Sequence, residues 1–239
     1  MPDTETEMNP SIARALDEAR ALQAPLADRL QLFAALLEHV APRYAHHYHR
    51  LIERLVAAKA GKRAPRVGDP MPDFALPDAE GCLVTLAQLV TAGPLVLSFN
   101  RGHWCELCRL ELGALAEADR EVRRLGGSIV SIMPETSVRI TRLRSEDKIP
   151  FQLLRDTDNA FALSIGLAIA VDQQLAAMMI ADGIDLAAEV QYIAAGAYGV
   201  DGFPFTTLLD GDGKVVARWS GEREPDQVLD LITSNLDLG

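Results

Sequence analysis

A strand–helix–strand pattern between residues 94 and 133 constrains the fold of this chain most strongly. Residues 94–99 (PLVLSF) and 127–133 (GSIVSIM) are short apolar runs of the length that buried strands have. Residues 106–125 between them carry apolar side chains at the spacing of an amphipathic helix. Two buried strands joined by a helix form a βαβ unit, in which the strands are parallel and the crossover is right-handed. The pattern therefore predicts an α/β fold.

Further elements follow the βαβ unit along the chain. Two apolar runs flank Asp-Gly-Asp-Gly in TTLLDGDGKVVARW, which is typical of a β-hairpin. The segment 168–202 fits this alternation poorly, and we expect an insertion of helices and loop there. The remaining elements predicted from apolar spacing are a helix at 138–147, a strand in PFQLLRD, a short helix at 159–165 and a closing helix in EPDQVLDLITSNL.

The sequence of the first part of the chain predicts helices only. Between residues 11 and 59 apolar residues recur at helical spacing, and Pro25 and Pro42 divide the stretch into three amphipathic helices. The stretch 60–72 (AGKRAPRVGDPMP) is rich in proline and glycine and is typical of a linker. We expect two parts, a helical extension with its linker at 1–65 and a redox domain at 66–239.

Composition and charge limit which partners and which cellular compartment are expected. The 239 residues carry 34 acidic and 23 basic side chains, and the net charge of −11 argues against a nucleic-acid partner. No apolar run approaches the roughly 20 residues of a membrane span, and the acidic start does not resemble a secretory signal. We expect a cytoplasmic protein without membrane contact. In a reducing compartment, closely spaced cysteines are usually catalytic or metal-bound.

Two of the three cysteines form a Cys-x-x-Cys motif where the first buried strand gives way to the helix. Cys105 stands at the predicted helix start, where free N–H groups and the helix dipole favour a thiolate. Cys108 lies three residues further on the same helical face, within reach of an oxidised Cys105. We therefore predict that Cys105 is the nucleophile and Cys108 the resolving cysteine.

The residues around the motif are charged and aromatic. Trp104 and Arg101 flank the pair, and Arg101, in the turn before Cys105, is well placed to stabilise a thiolate. Arg109 and His103 are further candidates for positive charge, although Arg109 also fits an ordinary solvated helix position. Glu106 between the cysteines acts in the opposite direction, because a carboxylate raises the pKa of a neighbouring thiol.

The thiols could also bind a metal ion or pack in the interior. A zinc site needs two more ligands, Cys82 stands alone, and the histidines of HHYH (His46, His47 and His49) fit a solvated helix surface better. We therefore expect neither a metal nor a cofactor. Packing of both thiols in the interior is the remaining structural alternative. For Cys82, which no motif surrounds, a packing role is the expectation.

Four ordered segments resemble one known family. They are VGDPMPDFALPDAEG, VLSFNRGHWCELCRLEL, PFQLLRDTDNAFALSIGL and FPFTTLLDGDGKVVARW, and together they span about residues 67–236. The sequence resembles the peroxiredoxin-like branch of the alkyl hydroperoxide reductase and thiol-specific antioxidant (AhpC/TSA) family. The resemblance implies a thioredoxin-like fold of the peroxiredoxin type, with a central mixed sheet flanked by helices and preceded here by a helical extension. It also implies a thiol peroxidase that reduces hydrogen peroxide or organic hydroperoxides.

Three positions depart from the typical peroxiredoxin pattern. Typical members have a proline seven residues and a threonine three residues before the attacking cysteine, where this chain has Ser98 and Gly102. They also carry an arginine before the closing hairpin, where this chain has Pro204, which matches the cis-proline of thioredoxin-like proteins. A protein disulfide reductase, with Pro204 beside the thiols, is therefore the alternative activity. A redox-sensing binding module without turnover is the third hypothesis.

Partners follow from these hypotheses. A peroxidase of this kind needs a peroxide and an external dithiol reductant such as thioredoxin or glutaredoxin. The apolar faces of the three N-terminal helices must also dock somewhere. Tyr44 and Tyr48 favour an interface, so we expect a homodimer, with docking on the chain's own redox domain as the alternative.

Overall fold

A computed structural model describes residues 9–59, 61–170, 177, 200–202 and 205–220 of the chain. Its main sheet has five strands in the order β5-β4-β3-β8-β9. Three of them, β3, β4 and β5, run parallel, whereas β8 and β9 add antiparallel strands at the other side. The strands are β3 (Leu95–Phe99), β4 (Ser128–Met133), β5 (Gln152–Arg155), β8 (Phe205–Leu209) and β9 (Val215–Ser220).

The predicted βαβ unit is confirmed. The helix between β3 and β4 is α5 (Glu106–Arg124), and the two strands pair in parallel register from Leu95 opposite Ser128. All five residues of β3 are buried, as expected for a central strand covered on both faces. The hairpin predicted around Asp-Gly-Asp-Gly is also confirmed, because β8 and β9 pair antiparallel across it.

Helices cover both faces of the sheet. On one face, α5 and α6 (Ser137–Glu146) bury apolar side chains that include Leu112, Leu115 and Ile140. On the other face, α4 (Leu86–Val90) and α7 (Ala160–Ser164) pack with the segment before β3. Phe161 of α7 contacts both Phe74 of that segment and Phe99 of β3. That segment also contains the short hairpin of β1 (Ala75–Pro77) and β2 (Leu83–Thr85).

Three N-terminal helices precede this domain, as predicted. They are α1 (Pro10–Ala21), α2 (Leu26–Val40) and α3 (Pro42–Ala57). Pro25 is the N-cap of α2 and Pro42 the first residue of α3, which is the end of a helix where proline is tolerated. We call these three helices the cap.

The cap packs against α5, on the side that faces away from the sheet. Residues of α1, α2 and α3 share one apolar cluster with Cys108, Leu110 and Ala114 of α5. The helix α5 is therefore apolar on two sides, one against the sheet and one against the cap. Docking on the chain's own redox domain is thus observed, and the homodimer stays a prediction.

Two predicted regions lie largely or wholly outside the described residues. The segment 168–202 is described only at its ends and at Ala177, and the ends form an antiparallel pair, β6 (Ala168–Ala170) with β7 (Val200–Gly202). The predicted closing helix in EPDQVLDLITSNL lies wholly outside the described residues. None of the helices that the structure describes is both long enough and apolar enough to cross a membrane.

Candidate active site

The two cysteines lie where β3 ends and α5 begins, as predicted. Cys105 is the N-cap of α5, and its Sγ accepts a hydrogen bond from the backbone N–H of Cys108 at 3.1 Å. Cys108 is in the first turn of the helix, and the two residues are joined as a disulfide with their Cα atoms 5.2 Å apart. The pair can therefore close within one helical turn without rearrangement of the backbone.

Arg101 supplies the positive charge beside the nucleophile candidate. Its Nη2 donates to Cys105 Sγ at 2.9 Å, and the side chain is buried. The guanidinium carbon lies 5.5 Å from the ring centroid of Trp104 and 5.2 Å from that of Tyr48. Trp104 belongs to the same loop, whereas Tyr48 comes from α3 of the cap. A buried guanidinium over aromatic rings at these distances makes favourable cation–π contacts with them.

The cap buries the sulfur atoms. Cys105 is 0% and Cys108 1% exposed, in the cluster that α1, α2 and α3 form with α5. Tyr44 and Tyr48 of α3 are buried there as well, with their rings 5.2 Å apart. Burial, with further contributions from Tyr48 and Glu106, raises the pKa of Tyr44 well above its usual value. The tyrosines that favoured an interface in the sequence thus lie inside this chain.

Two salt-bridge groups fasten the cap to the redox domain. Arg29 of α2 donates to both carboxylate oxygens of Glu117 on α5, at 2.8 and 2.9 Å. Arg20 of α1 shares Asp147 with Arg109, whose Nε and Nη2 donate to that carboxylate at 2.9 and 2.7 Å. These contacts join the cap to α5 and to the residue that ends α6.

The solvated position considered for Arg109 was wrong. Its side chain is only 16% exposed and pairs with Asp147. Burial acts to lower the pKa of Arg109, but the hydrogen bond and negative charge of Asp147 outweigh it, and the pKa is raised. Arg109 is four residues after Cys105, and it therefore lies one turn further along the side of α5 that meets the cap. Sequence spacing alone did not indicate this, because Asp147 is 38 residues away in the chain.

His103 is held by a carboxylate and a guanidinium. Glu135, from the loop after β4, accepts from the backbone N–H of His103 at 2.8 Å and lies against the ring Nδ1. Arg139 Nη1 approaches Nε2 at 2.6 Å. Arg139 Nη1 also lies 3.2 Å from Nδ1, so the guanidinium contacts both ring nitrogens. This arrangement fixes the loop between β3 and Cys105 from the side of β4.

Gly102, one of the departures from the peroxiredoxin pattern, has a physical reason. Its φ is +135°, a backbone conformation that side chains disfavour. A Cβ atom there would lie 2.6 Å from Glu135 Oε1 and 2.9 Å from Trp104 Nε1. The threonine of typical peroxiredoxins would not fit this loop.

Ser98, another of the three departures, belongs to a buried polar network that the sequence did not indicate. Its Oγ donates to Glu111 Oε1 at 2.8 Å and accepts from Asn100 Nδ2 at 2.9 Å. Thr206 of β8 also donates to Glu111, at 3.2 Å. Glu111 is 6% exposed and lies one turn after Cys108 on α5. The sequence signal that could have indicated this network was Glu111 itself, an acidic residue three positions after Cys108 on a helix face expected to be apolar.

The remaining predicted positions have different outcomes. Cys82 is exposed, so the packing role expected for it was wrong; it follows a turn at Asp78, outside the cores. His46 and His49 are exposed, as expected of a solvated helix face. The described residues contain no group of three or more side chains suited to hold a metal ion. Pro204 lies outside the described residues, so its place beside the thiols stays a prediction.

The main sheet is mixed, and the Cys-x-x-Cys pair stands at the start of the first crossover helix. This combination defines a thiol-dependent oxidoreductase of thioredoxin-like fold. The sequence profile of the AhpC/TSA family matches residues 67–181, which cover the βαβ unit and both cysteines. Over this segment the chain is similar to the AhpC/TSA family, in agreement with the resemblance of its sequence motifs.

Two similar curated proteins are named as thiol-disulfide oxidoreductases. The thiol-disulfide oxidoreductase ResA of Bacillus thuringiensis (strain Al Hakam) is 25% identical over 170 residues, which cover 71% of this chain and 78% of that protein. ResA of Bacillus subtilis (strain 168) is 25% identical over 177 residues, covering 74% and 79% of the two chains.

Solved structures of peroxiredoxins share the fold. Peroxidoxin BcpB of Mycobacterium tuberculosis superposes with a TM-score of 0.57 at 21% identity, over 71% of this chain and 97% of that one. Peroxiredoxin Q of Xanthomonas campestris gives a TM-score of 0.53 at 17% identity, over 68% and 91%. The predicted peroxiredoxin-type α/β fold is therefore confirmed.

Proposed function

We propose that this protein reduces hydrogen peroxide or small organic hydroperoxides through a thiol–disulfide cycle of Cys105 and Cys108. The observation that carries the proposal is the buried Cys105 Sγ, which receives hydrogen bonds from Arg101 and from the backbone N–H of Cys108. Both donors stabilise a thiolate more than a thiol, and the thiolate is the nucleophile. Trp104 supports the site by stacking on Arg101.

The cycle has three steps. The Cys105 thiolate attacks the terminal peroxide oxygen, the O–O bond breaks, and an alcohol or water leaves once protonated, so that Cys105 becomes a sulfenic acid. Cys108 then attacks the sulfenic sulfur, forms the disulfide and releases water. An external dithiol such as thioredoxin or glutaredoxin reduces the disulfide and is itself oxidised. In the first step, the Arg101 guanidinium is placed to stabilise the charge on the departing oxygen.

Burial of the cysteines favours a small substrate. In the oxidising step, a protein disulfide would have to bring its own sulfur into line with Cys105, which is 0% exposed in the cluster that the cap forms with α5. A peroxide presents two oxygen atoms and needs a much smaller opening. The reducing dithiol must reach the pair in either cycle, so the reducing step does not distinguish the two functions. The exposed, unpaired Cys82 fits a reducing compartment, and we place the reaction in the cytoplasm.

Disulfide reduction is the second candidate. It is supported by the Cys-x-x-Cys pair itself and by the similarity to thiol-disulfide oxidoreductases, at 25% identity. In that reaction Cys105 would attack a substrate disulfide, and Cys108 would release the mixed disulfide. The predicted place of Pro204 beside the thiols belongs to this candidate.

A coupled assay separates these functions. We would follow NADPH consumption with thioredoxin and thioredoxin reductase, supplying either hydrogen peroxide or insulin as the oxidant. The proposal expects turnover with peroxide that Cys105→Ser abolishes, while Cys82→Ser leaves the rate near wild type. Turnover with insulin but not with peroxide, above the rate of the thioredoxin system without this protein and lost in Cys105→Ser, would establish the reductase instead. Absence of turnover with both oxidants would leave the binding module as the remaining hypothesis.

A further inference from the structure

Tyr48 contacts the redox site although it belongs to the cap. It lies 57 positions before Cys105, in α3, and its ring is 5.2 Å from the guanidinium carbon of Arg101. The same guanidinium donates to Cys105 Sγ at 2.9 Å and lies over Trp104. Arg101 therefore has one aromatic contact from the redox domain, with Trp104, and one from the cap, with Tyr48.

We propose that Tyr48 is a positioning residue of the redox site, which holds the Arg101 guanidinium against the Cys105 sulfur. The inference rests on the proposed role of Cys105 as the reacting thiol and adds that the cap completes this site. It does not make Tyr48 a catalytic residue, because Tyr48 acts through Arg101.

The physical argument concerns a flexible side chain in a buried setting. An arginine side chain has several rotatable bonds, and holding its planar head in one place requires contacts on its faces. The rings of Trp104 and Tyr48 provide such contacts, and both are buried, so water does not compete with them. Without the Tyr48 ring, the guanidinium would lose one of these aromatic contacts, and its hydrogen bond to Cys105 would be formed for a smaller part of the time.

The expected consequence is a change in thiolate formation by Cys105. Reduced Cys105 is stabilised as a thiolate by a charge-assisted hydrogen bond from Arg101. Other groups in its surroundings also bear on its titration and must be kept constant in the test. They are His103 in the same loop, Glu106 and Glu111 on α5, and Tyr44 with Tyr48 on α3.

The test measures the thiolate of Cys105 directly. A Cys82→Ser, Cys108→Ser protein retains a single thiol, and the ultraviolet absorbance of its thiolate against pH gives the titration midpoint without any reagent entering the site. Tyr48→Phe, which keeps the ring, should leave the midpoint unchanged. Tyr48→Leu, which keeps most of the volume, should move the midpoint upward by roughly one pH unit, a tenfold smaller thiolate fraction at low pH.

Two controls decide whether Tyr48 acts through Arg101. In an Arg101→Met background, Tyr48→Leu should produce no further shift; a full additional shift would overturn the inference. Leu51→Ala, a buried change on the same helix, should lower stability without moving the midpoint. An equal shift in that variant would assign the effect to loosening of the cap and overturn the inference as well.

These measurements are independent of the proposed function. The titration uses neither peroxide nor a reductant, so a protein without turnover could still show the Tyr48 effect. Conversely, turnover combined with an unchanged midpoint in Tyr48→Leu would support the proposed function and refute the role of Tyr48.

Discussion

Gly102 shows how one residue sets the shape of the loop before the nucleophile. Its positive φ strains any side chain, and a Cβ atom would displace the Glu135 and Trp104 side chains. We predict that Gly102→Ala lowers the free energy of unfolding by about 1–3 kcal/mol, since it combines backbone strain with a steric clash. Urea denaturation of the oxidised protein measures this change.

A matched substitution on α5 provides the control. Gly113 lies within the helix, where an added Cβ meets nothing within 4 Å. Gly113→Ala should therefore raise the free energy of unfolding by about 0.5–1 kcal/mol, because alanine loses less conformational freedom in a helix. Equal effects of the two substitutions would show that the loop tolerates a side chain at Gly102.

Asp156 should contribute a pH dependence of stability. Its carboxylate accepts from the backbone N–H groups of Phe161 and Ala162, yet burial raises its pKa above the usual value, despite these hydrogen bonds. A carboxyl group with a raised pKa in the folded state binds its proton more tightly there than in the unfolded chain. Its contribution to stability is therefore present below its unfolded pKa, near 3.8, and is lost as the pH rises through its folded value.

The comparison with Asp156→Asn isolates this contribution. Asparagine does not titrate, so the stability of wild type minus that of the variant should fall as the pH rises from about 4 to 7. Urea denaturation of both proteins across this range gives the difference. A difference that grows with pH would mean that the carboxylate is stabilised by its hydrogen bonds more than it is penalised by burial.

At the scale of elements, the attachment of the cap depends on Arg29. It is 8% exposed, and besides Glu117 it donates to the carbonyl oxygen of Ala24 at 2.8 Å. The Glu117 side chain is 61% exposed, so solvent screens the ion pair, and much of the effect of Arg29 comes from packing and hydrogen bonding. We predict that Arg29→Ala lowers the free energy of unfolding by about 1–2 kcal/mol and speeds maleimide labelling of the reduced cysteines.

Arg124→Ala is the matched control for that prediction. Arg124 also forms an ion pair from α5, with Glu121, but both side chains are exposed and distant in sequence from the cysteines. The control should leave both stability and labelling unchanged, because solvent screens this exposed ion pair. If Arg29→Ala labels no faster than the control, the cap does not open at this attachment.

The sequence predicted the elements better than their packing. Apolar spacing located the three cap helices, the βαβ unit and the hairpin, because each of these signals is local. It could not tell that the cap covers Cys105 and Cys108, since an apolar helix face shows only that something must cover it. The pairing of Arg109 with Asp147 and the network around Glu111 were missed for the same reason, because their partners are distant in the chain.

At the scale of the whole molecule, the homodimer is a prediction. The apolar faces that first suggested it are covered within one chain, while Ile52 and Val56 of α3 remain 45% and 72% exposed. We expect light scattering at micromolar concentration to give a mass about twice the 26.0 kDa of the chain. A mass of one chain would show that the cap serves its own redox domain only.

The central claim is that Cys105 reacts with peroxide and Cys108 resolves the product. Its most direct test adds one equivalent of hydrogen peroxide to the reduced Cys108→Ser protein in the presence of a sulfenic-acid trap, with the Cys105→Ser protein treated identically. Peptide mass spectrometry should find the trapped adduct on Cys105 in the first protein and almost none on Cys108 in the second. An adduct on Cys108 of comparable yield, or none on Cys105, would contradict the account.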